Sequence, residues 1–296
     1  MTRLSVKIKI LFFFAQKIYI MDPIVKEILA ELKRKYFKYD EAKFAGVLTV
    51  EDFRRAWGGE HGCYVPPEEV NLGDTAVIEE IYPRLVHYKT LTIDGVRNNY
   101  KCIYIPGCPC NDKKIFREYI KRGNKILLSN FSGEDTINIC LTPNWGGKSS
   151  IMAMALSPIF NGQRAKLTYS IAGEKKKISL IRTDRGVYYC PSEGRFGIAG
   201  SVRTLAPKSI NVIMGGTCSA GEMIAIALKS ISDKVNITFI GKRTAGATTT
   251  IGWKKLSNGG FIEYPVGYMA DCRGNIYPNG IPADIELAGP PEEIKL

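Results

Sequence analysis

Ser219 stands where a hydroxyl group can act as a nucleophile. The apolar run 210–214 predicts a buried strand, and the apolar residues of 219–231 recur at helical spacing. Gly215 and Gly216, between the two patterns, allow the chain to turn tightly. Amides at a helix N-terminus are unpaired and carry partial positive charge, so an oxyanion formed beside Ser219 would meet donors there.

The same turn allows two other interpretations. Ser219 could serve only as the helix cap, because Glu222 follows three residues later at the spacing of a capping box. Cys218 is a second candidate nucleophile, because a helix N-terminus favours a thiolate. Residues 215–222 alone leave the choice between a cap and a nucleophile open.

A second glycine turn has the same logic. Residues 137–141 predict a strand, and the turn 142–147, which ends in Gly146 and Gly147, leads into a helix that begins near Ser149. Its amides are a second source of hydrogen-bond donors. Two such turns in adjacent units of an α/β core can face one another and hold a carbonyl oxygen between them.

Alternating strand and helix patterns predict the α/β core that would position these turns. Between the core units, β-rich pieces at 167–171, 178–181 and 186–190 predict inserted hairpins. The predicted strands are 101–105, 136–141, 210–214, 235–240 and 261–265, and the predicted helices are 113–122, 149–160 and 219–231.

The N-terminal part of the chain reads as helix followed by loop. After Asp22, apolar residues recur at helical spacing and predict an amphipathic packing helix. Residues 41–75 predict short helices and turns, and 58–68 is a Gly- and Pro-rich loop that contains His61. Loops are where site residues tend to lie.

The composition is that of a globular protein. The chain has 296 residues, 45% hydrophobic and 24% charged. Its net charge of +12 is spread over scattered Lys and Arg, which predicts a solvated face and no nucleic-acid site. Eight cysteines lack the dense spacing of a disulfide scaffold, and His61 and His87 complete no familiar metal pattern. We expect reduced thiols, no metal and no cofactor.

The first twenty residues resemble a short secretory signal. Basic residues precede the apolar run 10–15, which is too short to span a bilayer, so no stable membrane insertion is predicted. Met21 is an alternative start, which would make 1–20 an extension. We favour a cytoplasmic protein, or a secreted one if 1–20 acts as a signal.

Five segments share their order and spacing with the motifs of a known family. They are GGEHGCYVPPEEV at 58–70, INICLTPNWGG at 137–147, GGTCSAGE at 215–222, FIGKRTAGATT at 239–249 and GIPADI at 280–285. They resemble the C-terminal-processing (tail-specific) serine peptidases, in particular the tricorn-like branch without a PDZ domain. The resemblance covers roughly residues 45–288.

The resemblance implies a ClpP/crotonase-like core of repeated ββα units and the hydrolysis of protein or peptide substrates. In the family, Ser219 would be the nucleophile, and the amides of Ala220 and of Gly146 or Gly147 would hold the oxyanion. From the resemblance together with the patterns above, we expect an N-terminal extension or signal-like segment at 1–20, a helical segment with the His loop at 21–75 and a ClpP/crotonase-like peptidase domain at 76–296. A homo-oligomer is allowed.

The resemblance also points to a base. Family members with a Ser-Lys dyad place Lys just after the Thr-x-Gly turn, but Ala247 stands there, and Lys242 and Arg243 precede the turn. The tricorn-like branch uses a His from the upstream segment, and His61 holds that place. Its ordinary pKa suits a general base near neutral pH. The alternative is a loop histidine without a role.

The third catalytic residue is left unassigned. Tricorn-like relatives orient the His through a Glu, and the aligned position here is Tyr277. Glu60, Glu263 and Asp271 are the carboxylates that could orient His61, although each could be a surface charge. Glu222 is expected to support the nucleophile helix.

Two other functions remain open. A catalytically degenerate relative would bind peptides or apolar ligands, and a crotonase-type enzyme would act on an acyl-CoA and need no special serine. The position of His61 separates chemistry from binding, because a base must lie within hydrogen-bond reach of Ser219.

Overall fold

A seven-stranded sheet forms the centre of the protein. The computed structural model describes residues 21–70, 85–93, 96–108, 112–160, 165–171, 174–180, 187–190, 194–197, 203–233, 235–271, 273–288 and 292–293, so the predicted extension 1–20 lies outside the described residues. The strands of this sheet are β2 (His87–Ile93), β3 (Val96–Tyr104), β4 (Thr136–Cys140), β9 (Ser209–Met214), β10 (Asn236–Gly241), β13 (Ile285–Glu286) and β14 (Glu292–Glu293).

The strand order brings the two glycine turns together. It is β13-β10-β9-β4-β3-β2-β14, in which β13, β10, β9, β4 and β3 run parallel and β2 runs antiparallel to both of its neighbours, β3 and β14. The neighbours β4 and β9 each end in one of the turns. Because the carboxyl ends of parallel neighbours meet at one sheet edge, the turn after β4 lies beside the turn after β9.

Helices cover one face of this sheet. They are α3 (Lys113–Asn130), α4 (Ser149–Ala155), α5 (Ser157–Phe160) and α6 (Ala220–Lys229). Their apolar side chains pack against Ile139 and Val212 of the central strands and form the main core. In α6 all residues from Ala220 to Leu228 are buried except Met223, so the helix after Ser219 is held on nearly all sides.

A second sheet carries the N-terminal helices. Its longest strand, β12 (Phe261–Ala270), pairs with β11 (Thr249–Lys255), β1 (Tyr64–Val65) and β5 (Ala165–Ile171), and β5 pairs with β6 (Glu174–Leu180). Helices α1 (Pro23–Lys35) and α2 (Val50–Trp57) pack on it. Buried side chains from these helices, from the sheet and from the segments between them pack together as the N-terminal core: Val25, Ile28, Leu32, Tyr36, Phe44, Val47, Phe53, Trp57, Tyr64, Leu256, Ile262, Tyr264 and Val266.

The α/β prediction is confirmed, and the differences concern element ends. The predicted helix 113–122 continues through Gly123 to Asn130. Gly123 does not end the helix but lets α3 approach α4 closely, since a Cβ there would lie 2.6 Å from Cβ of Ala155. The predicted helix 149–160 is two helices that break at Leu156, two residues before a proline. The predicted hairpins are β5-β6 and β7-β8, the latter formed by Val187–Cys190 and Gly194–Gly197.

Six strands in the described part of the chain were not predicted, namely β1, β2, β8, β11, β13 and β14, and β11 is the one that begins at a contact with His61. The segment 249–255 has neither clean alternation nor an apolar run, so its sequence does not indicate a strand. No disulfide joins the five cysteines whose side chains are described, Cys63, Cys102, Cys108, Cys140 and Cys218. Within the described ranges, no helix is both long and apolar enough to cross a membrane.

A buried carboxylate fastens α1 to the second sheet. Glu31 is almost fully buried and accepts a 2.6 Å hydrogen bond from the Tyr264 hydroxyl of β12. Arg34 and Lys35 approach the same carboxylate at 2.7 and 3.0 Å. Burial opposes ionisation, but these hydrogen bonds outweigh it and lower the pKa of Glu31 to about 2.

Replacing Tyr264 by Phe should therefore destabilise the protein. The change removes one donor from a buried carboxylate and leaves the ring in place, so we expect a loss of about 1–2 kcal/mol in the free energy of unfolding. Urea denaturation measures it. The control Tyr39→Phe removes a hydroxyl from a half-exposed ring and should change the free energy by less than about 0.5 kcal/mol. Equal effects of the two variants would contradict this role for Glu31.

Candidate active site

Ser219 has a strained backbone at the start of α6. Its φ of +51° and ψ of −119° make it the one non-glycine residue with positive φ among the described residues. Such a conformation costs on the order of 1–3 kcal/mol and persists only where the surroundings hold it. The predicted strand-to-helix turn is present, and Ser219 is its strained residue.

Glu222 holds the Ser219 turn from inside the protein. Its carboxyl group is fully buried and accepts a 3.0 Å hydrogen bond from the Ser219 amide, as the capping-box spacing predicts. The other carboxyl oxygen accepts bonds from the Thr244 hydroxyl at 2.5 Å and the Gly246 amide at 2.8 Å. Glu222 therefore joins the nucleophile turn to the Thr-x-Gly turn, and the Ser219 amide is occupied by it.

Asn144 joins the second glycine turn to the first. It is fully buried, and its main-chain carbonyl accepts a 2.8 Å bond from the Cys218 amide. Its side chain donates to the Ile105 carbonyl at 2.8 Å and accepts from the Gly146 amide at 3.0 Å. The two turns therefore face one another in a fixed register.

Gly146 lies directly against Ser219. Its φ is +106°, and a Cβ placed there would lie 2.9 Å from Cβ of Ser219, 3.2 Å from its Oγ and 3.3 Å from the Ala220 amide nitrogen. Glycine is therefore required both for the backbone conformation and for the close approach. The main chain of the second glycine turn thus lies directly against Ser219 and the Ala220 amide.

Two main-chain amides beside Ser219 have no hydrogen-bond acceptor within the described part of the chain. They belong to Ala220, the first residue of α6, and to Gly147, which is exposed. The Gly146 amide, in contrast, donates to Asn144. Of the predicted oxyanion donors, Ala220 and Gly147 are the ones with an amide left for a ligand.

His61 lies within hydrogen-bond reach of Ser219. Its Nε2 is 3.0 Å from Oγ of Ser219, although 158 positions separate the two residues. The loop is fixed by a 3.0 Å bond from the Trp57 indole to the Gly62 carbonyl and a 2.8 Å bond from the Glu263 amide to the Cys63 carbonyl. Burial lowers the pKa of His61, which favours the neutral ring.

The other ring nitrogen of His61 contacts Thr249, which the sequence analysis did not single out. Its Nδ1 is 2.6 Å from Oγ1 of Thr249, at the start of β11. Thr249 stands between two further threonines, and nothing in the sequence distinguishes the three. The contact joins residues 188 positions apart, so no local pattern in the sequence indicates it.

None of the carboxylates expected to orient His61 is hydrogen-bonded to it in the described structure. Glu60 bonds with Lys43 at 3.4 Å, and Asp271 accepts from the Tyr277 hydroxyl at 2.6 Å and from Asn275 at 3.0 Å. Burial raises the pKa of Glu263, and Lys148 partly offsets this. These three expectations are not met, because each carboxylate has other surroundings.

The remaining candidate side chains, Lys242, Arg243 and Cys218, are not hydrogen-bonded to the Ser219 hydroxyl in the described structure. Lys242 and Arg243 are exposed, and Arg243 donates to the Gly280 carbonyl at 3.1 Å. Burial, together with the nearby Glu222, raises the pKa of Cys218, which disfavours a thiolate. Of the two candidate nucleophiles, Ser219 is the one with a side-chain hydrogen bond to His61 within the described residues.

One solved structure supports the fold, and two proteases with TM-scores below 0.5 resemble part of the chain. A lipoprotein from Streptococcus agalactiae aligns over 92% of this chain and 95% of its own, with 21% identity and a TM-score of 0.64. A photosystem II D1 C-terminal processing protease aligns over 68% of this chain and 48% of its own, with 16% identity and a TM-score of 0.45. The tricorn protease aligns over 63% and 15%, with 18% identity and a TM-score of 0.37.

The chain thus spans nearly all of the lipoprotein but less than half of the two proteases. No curated protein matches the sequence. A family model, however, matches residues 131–287, a little over half of the chain. The match includes both glycine turns, Ser219 and Thr249, whereas His61 lies outside it. The resemblance seen in the motifs is therefore confirmed at the level of the family: this chain belongs to peptidase family S41, a family of serine peptidases.

Proposed function

We propose that the protein is an active serine-type endopeptidase that processes protein or peptide substrates, with Ser219 as nucleophile and His61 as general base. The observation that carries the proposal is the 3.0 Å separation between Nε2 of His61 and Oγ of Ser219. That distance allows direct proton transfer. Membership of the family supports peptide-bond hydrolysis as the reaction, and the positions of Ser219 and His61 support their roles as nucleophile and general base.

Acylation follows from this geometry. Neutral His61 takes the proton of the Ser219 hydroxyl at Nε2 while Oγ forms a bond to the substrate carbonyl carbon. The carbonyl oxygen becomes an oxyanion, and the Ala220 and Gly147 amides donate to it. Breaking the C–N bond releases the amine, which takes the proton from Nε2 and leaves an acyl-Ser219 ester.

Deacylation reverses the roles. A water molecule gives its proton to Nε2 of His61 and attacks the ester carbonyl, and the same two amides hold the second oxyanion. Collapse of this intermediate breaks the bond to Ser219 Oγ, which regains its proton from His61. The enzyme is restored, and one water has been consumed per peptide bond cleaved.

Two features favour catalysis over a degenerate binding protein. A binding protein would have no need to keep Ser219 at a positive φ, a strain that a buried carboxyl group holds in place. It would also have no need to direct Nε2 of His61 at Ser219. An acyl-CoA enzyme would not need this pair either.

Trp145 supplies an apolar surface for substrate at the site. It directly precedes Gly146, whose backbone contacts Ser219, and 69% of its side chain is exposed. An exposed Trp next to a nucleophile offers a large rigid area to a substrate side chain. We therefore expect substrates with apolar residues near the scissile bond.

Fluorophosphonate labelling tests the proposal directly. An activated serine reacts with the probe, so the intact protein should label, Ser219→Ala should not label, and His61→Gln should label at least about 100-fold more slowly. Cleavage of a casein or mixed peptide substrate should follow the same order. Labelling of a folded Ser219→Ala variant, or none in the folded intact protein, would contradict the proposal and favour the binding function.

The second turn can be tested with a matched pair of glycine variants. Gly146→Ala would place a methyl group against Ser219 and the Ala220 amide, so we expect labelling to slow by about 100-fold or more. Gly133→Ala pays a similar backbone cost at φ +87° but meets no atom within 4 Å. Both variants are compared at an equal folded fraction. Equal labelling rates would argue against an oxyanion site at this turn.

The pH dependence should report on His61. The base must be neutral, and burial places the pKa of His61 below its ordinary value. Activity should therefore fall only as pH drops through that lowered pKa, which puts the acid midpoint of kcat/KM below about 6.5. A pH-rate profile on a peptide substrate measures it. A midpoint above pH 7 would exclude His61 as the base.

A further inference from the structure

A hydroxyl group occupies the position behind His61 where a serine peptidase needs an orienting group. Oγ1 of Thr249 is 2.6 Å from Nδ1, and only 6% of the Thr249 residue surface is exposed. Within the described residues no carboxyl group is hydrogen-bonded to His61. The buried hydroxyl is thus the partner of the nitrogen that faces away from Ser219.

The electrostatics of His61 agree with an uncharged partner. Burial is the one influence that lowers its pKa, and no carboxylate opposes it. A carboxylate at Nδ1 would favour the imidazolium and raise the pKa. None of the described charged or titratable side chains on the elements around His61 is a cause of its pKa shift. Among them are Glu60, Cys63, Lys148, Cys218, Glu222, Lys254, Lys255, Glu263 and Tyr264.

We propose that Thr249 is the positioning residue of the site, so that the peptidase uses an uncharged Ser219–His61–Thr249 triad. The inference rests on the proposed function and deepens it, because it assigns the third residue that the sequence left open. Thr249 touches neither substrate nor the reacting atoms. It acts through the orientation and tautomer of His61.

The proton positions follow from the two contacts. When Nδ1–H donates to Thr249 Oγ1, the lone pair of Nε2 points at the Ser219 hydroxyl and can accept its proton. In the opposite tautomer Nε2 carries the hydrogen and cannot act as a base. The Thr249 hydroxyl can accept from Nδ1–H or donate to a bare Nδ1, and we assign it the acceptor role, the task that an aspartate performs in the Ser-His-Asp triad.

The neighbouring threonines provide matched controls. The Thr248 hydroxyl donates to the Tyr277 carbonyl at 2.8 Å. The Thr250 hydroxyl is buried and has no hydrogen-bond partner in the described structure. Thr250→Val therefore removes the same group one position away, from the same strand, without touching His61.

Nitrogen-15 NMR of the imidazole rings tests the inference without any need for activity. The chain has two histidines, so His61 is assigned by comparison with His61→Gln. Neutral His61 should carry its hydrogen on Nδ1 in the intact protein and in Thr250→Val. Thr249→Val should move a measurable fraction of the ring to the Nε2–H tautomer, and Thr249→Ser should restore Nδ1–H. An unchanged tautomer in folded Thr249→Val would overturn the inference.

Kinetics provide the second test. Thr249→Val should slow fluorophosphonate labelling by about 10- to 100-fold, because Nδ1–H is left buried without an acceptor, while Thr249→Ser and Thr250→Val stay close to the intact protein. Thr249→Asp should raise the acid midpoint by about one pH unit or more, since a carboxylate stabilises the imidazolium. An acid midpoint that does not move in folded, reactive Thr249→Asp would overturn the inference.

The two levels of the proposal fail in different ways. If the intact protein labels through Ser219 and His61 but Thr249→Val is as fast, Thr249 has no positioning role and the peptidase assignment stands. If the intact protein does not label, the proposed function fails. The imidazole tautomers then show separately whether Thr249 orients His61. If the protein does not label but the tautomer still depends on Thr249, the hydrogen bond between the two residues is supported and its catalytic role is overturned.

Discussion

The buried carboxyl group of Glu222 is the interaction on which the rest of the site depends. It takes the Ser219 amide on one oxygen and Thr244 and Gly246 on the other. The Thr244 hydroxyl in turn accepts a 2.8 Å bond from the Ile281 amide. Three motifs that are distant in sequence, 215–222, 244–246 and 280–281, therefore meet at one side chain. Such a satisfied buried network is rigid, which a strained Ser219 backbone requires.

The two side chains of the proposed catalytic pair come from different hydrophobic cores. Ser219 is carried by the main core through α6, whereas the loop of His61 is tied to β12 and to Trp57 of the N-terminal core. Their 3.0 Å approach therefore depends on how the second sheet sits on the first. Thr249 begins β11 in that second sheet, so the proposed base His61 and the proposed positioning residue Thr249 are both held by the second sheet. A shift between the sheets would separate the pair from Ser219 without unfolding either core.

The sequence was informative where local patterns carry the structure. Buried parallel strands, the glycine turns and the spacing of Glu222 from Ser219 are local signals, and they predict the α/β fold and the strand-to-helix turn at Ser219. Thr249 was missed because its role depends on a contact with a residue 188 positions away, which no periodicity encodes. Sequence reasoning looked for a carboxylate as the third residue. It named Glu60, Glu263 and Asp271, although burial and local partners decide their roles.

In the proposed mechanism, an uncharged third residue changes how the transition state is stabilised. With no carboxylate behind it, His61 has a lower pKa, so it is a weaker base but stays neutral to a more acidic pH. The imidazolium formed during attack is then stabilised chiefly by the oxyanion on the substrate. More of the transition-state stabilisation therefore falls on the Ala220 and Gly147 amides, which must be held in place before substrate arrives. The hydrogen bonds of Asn144 and Glu222 hold these two turns in place before substrate binds.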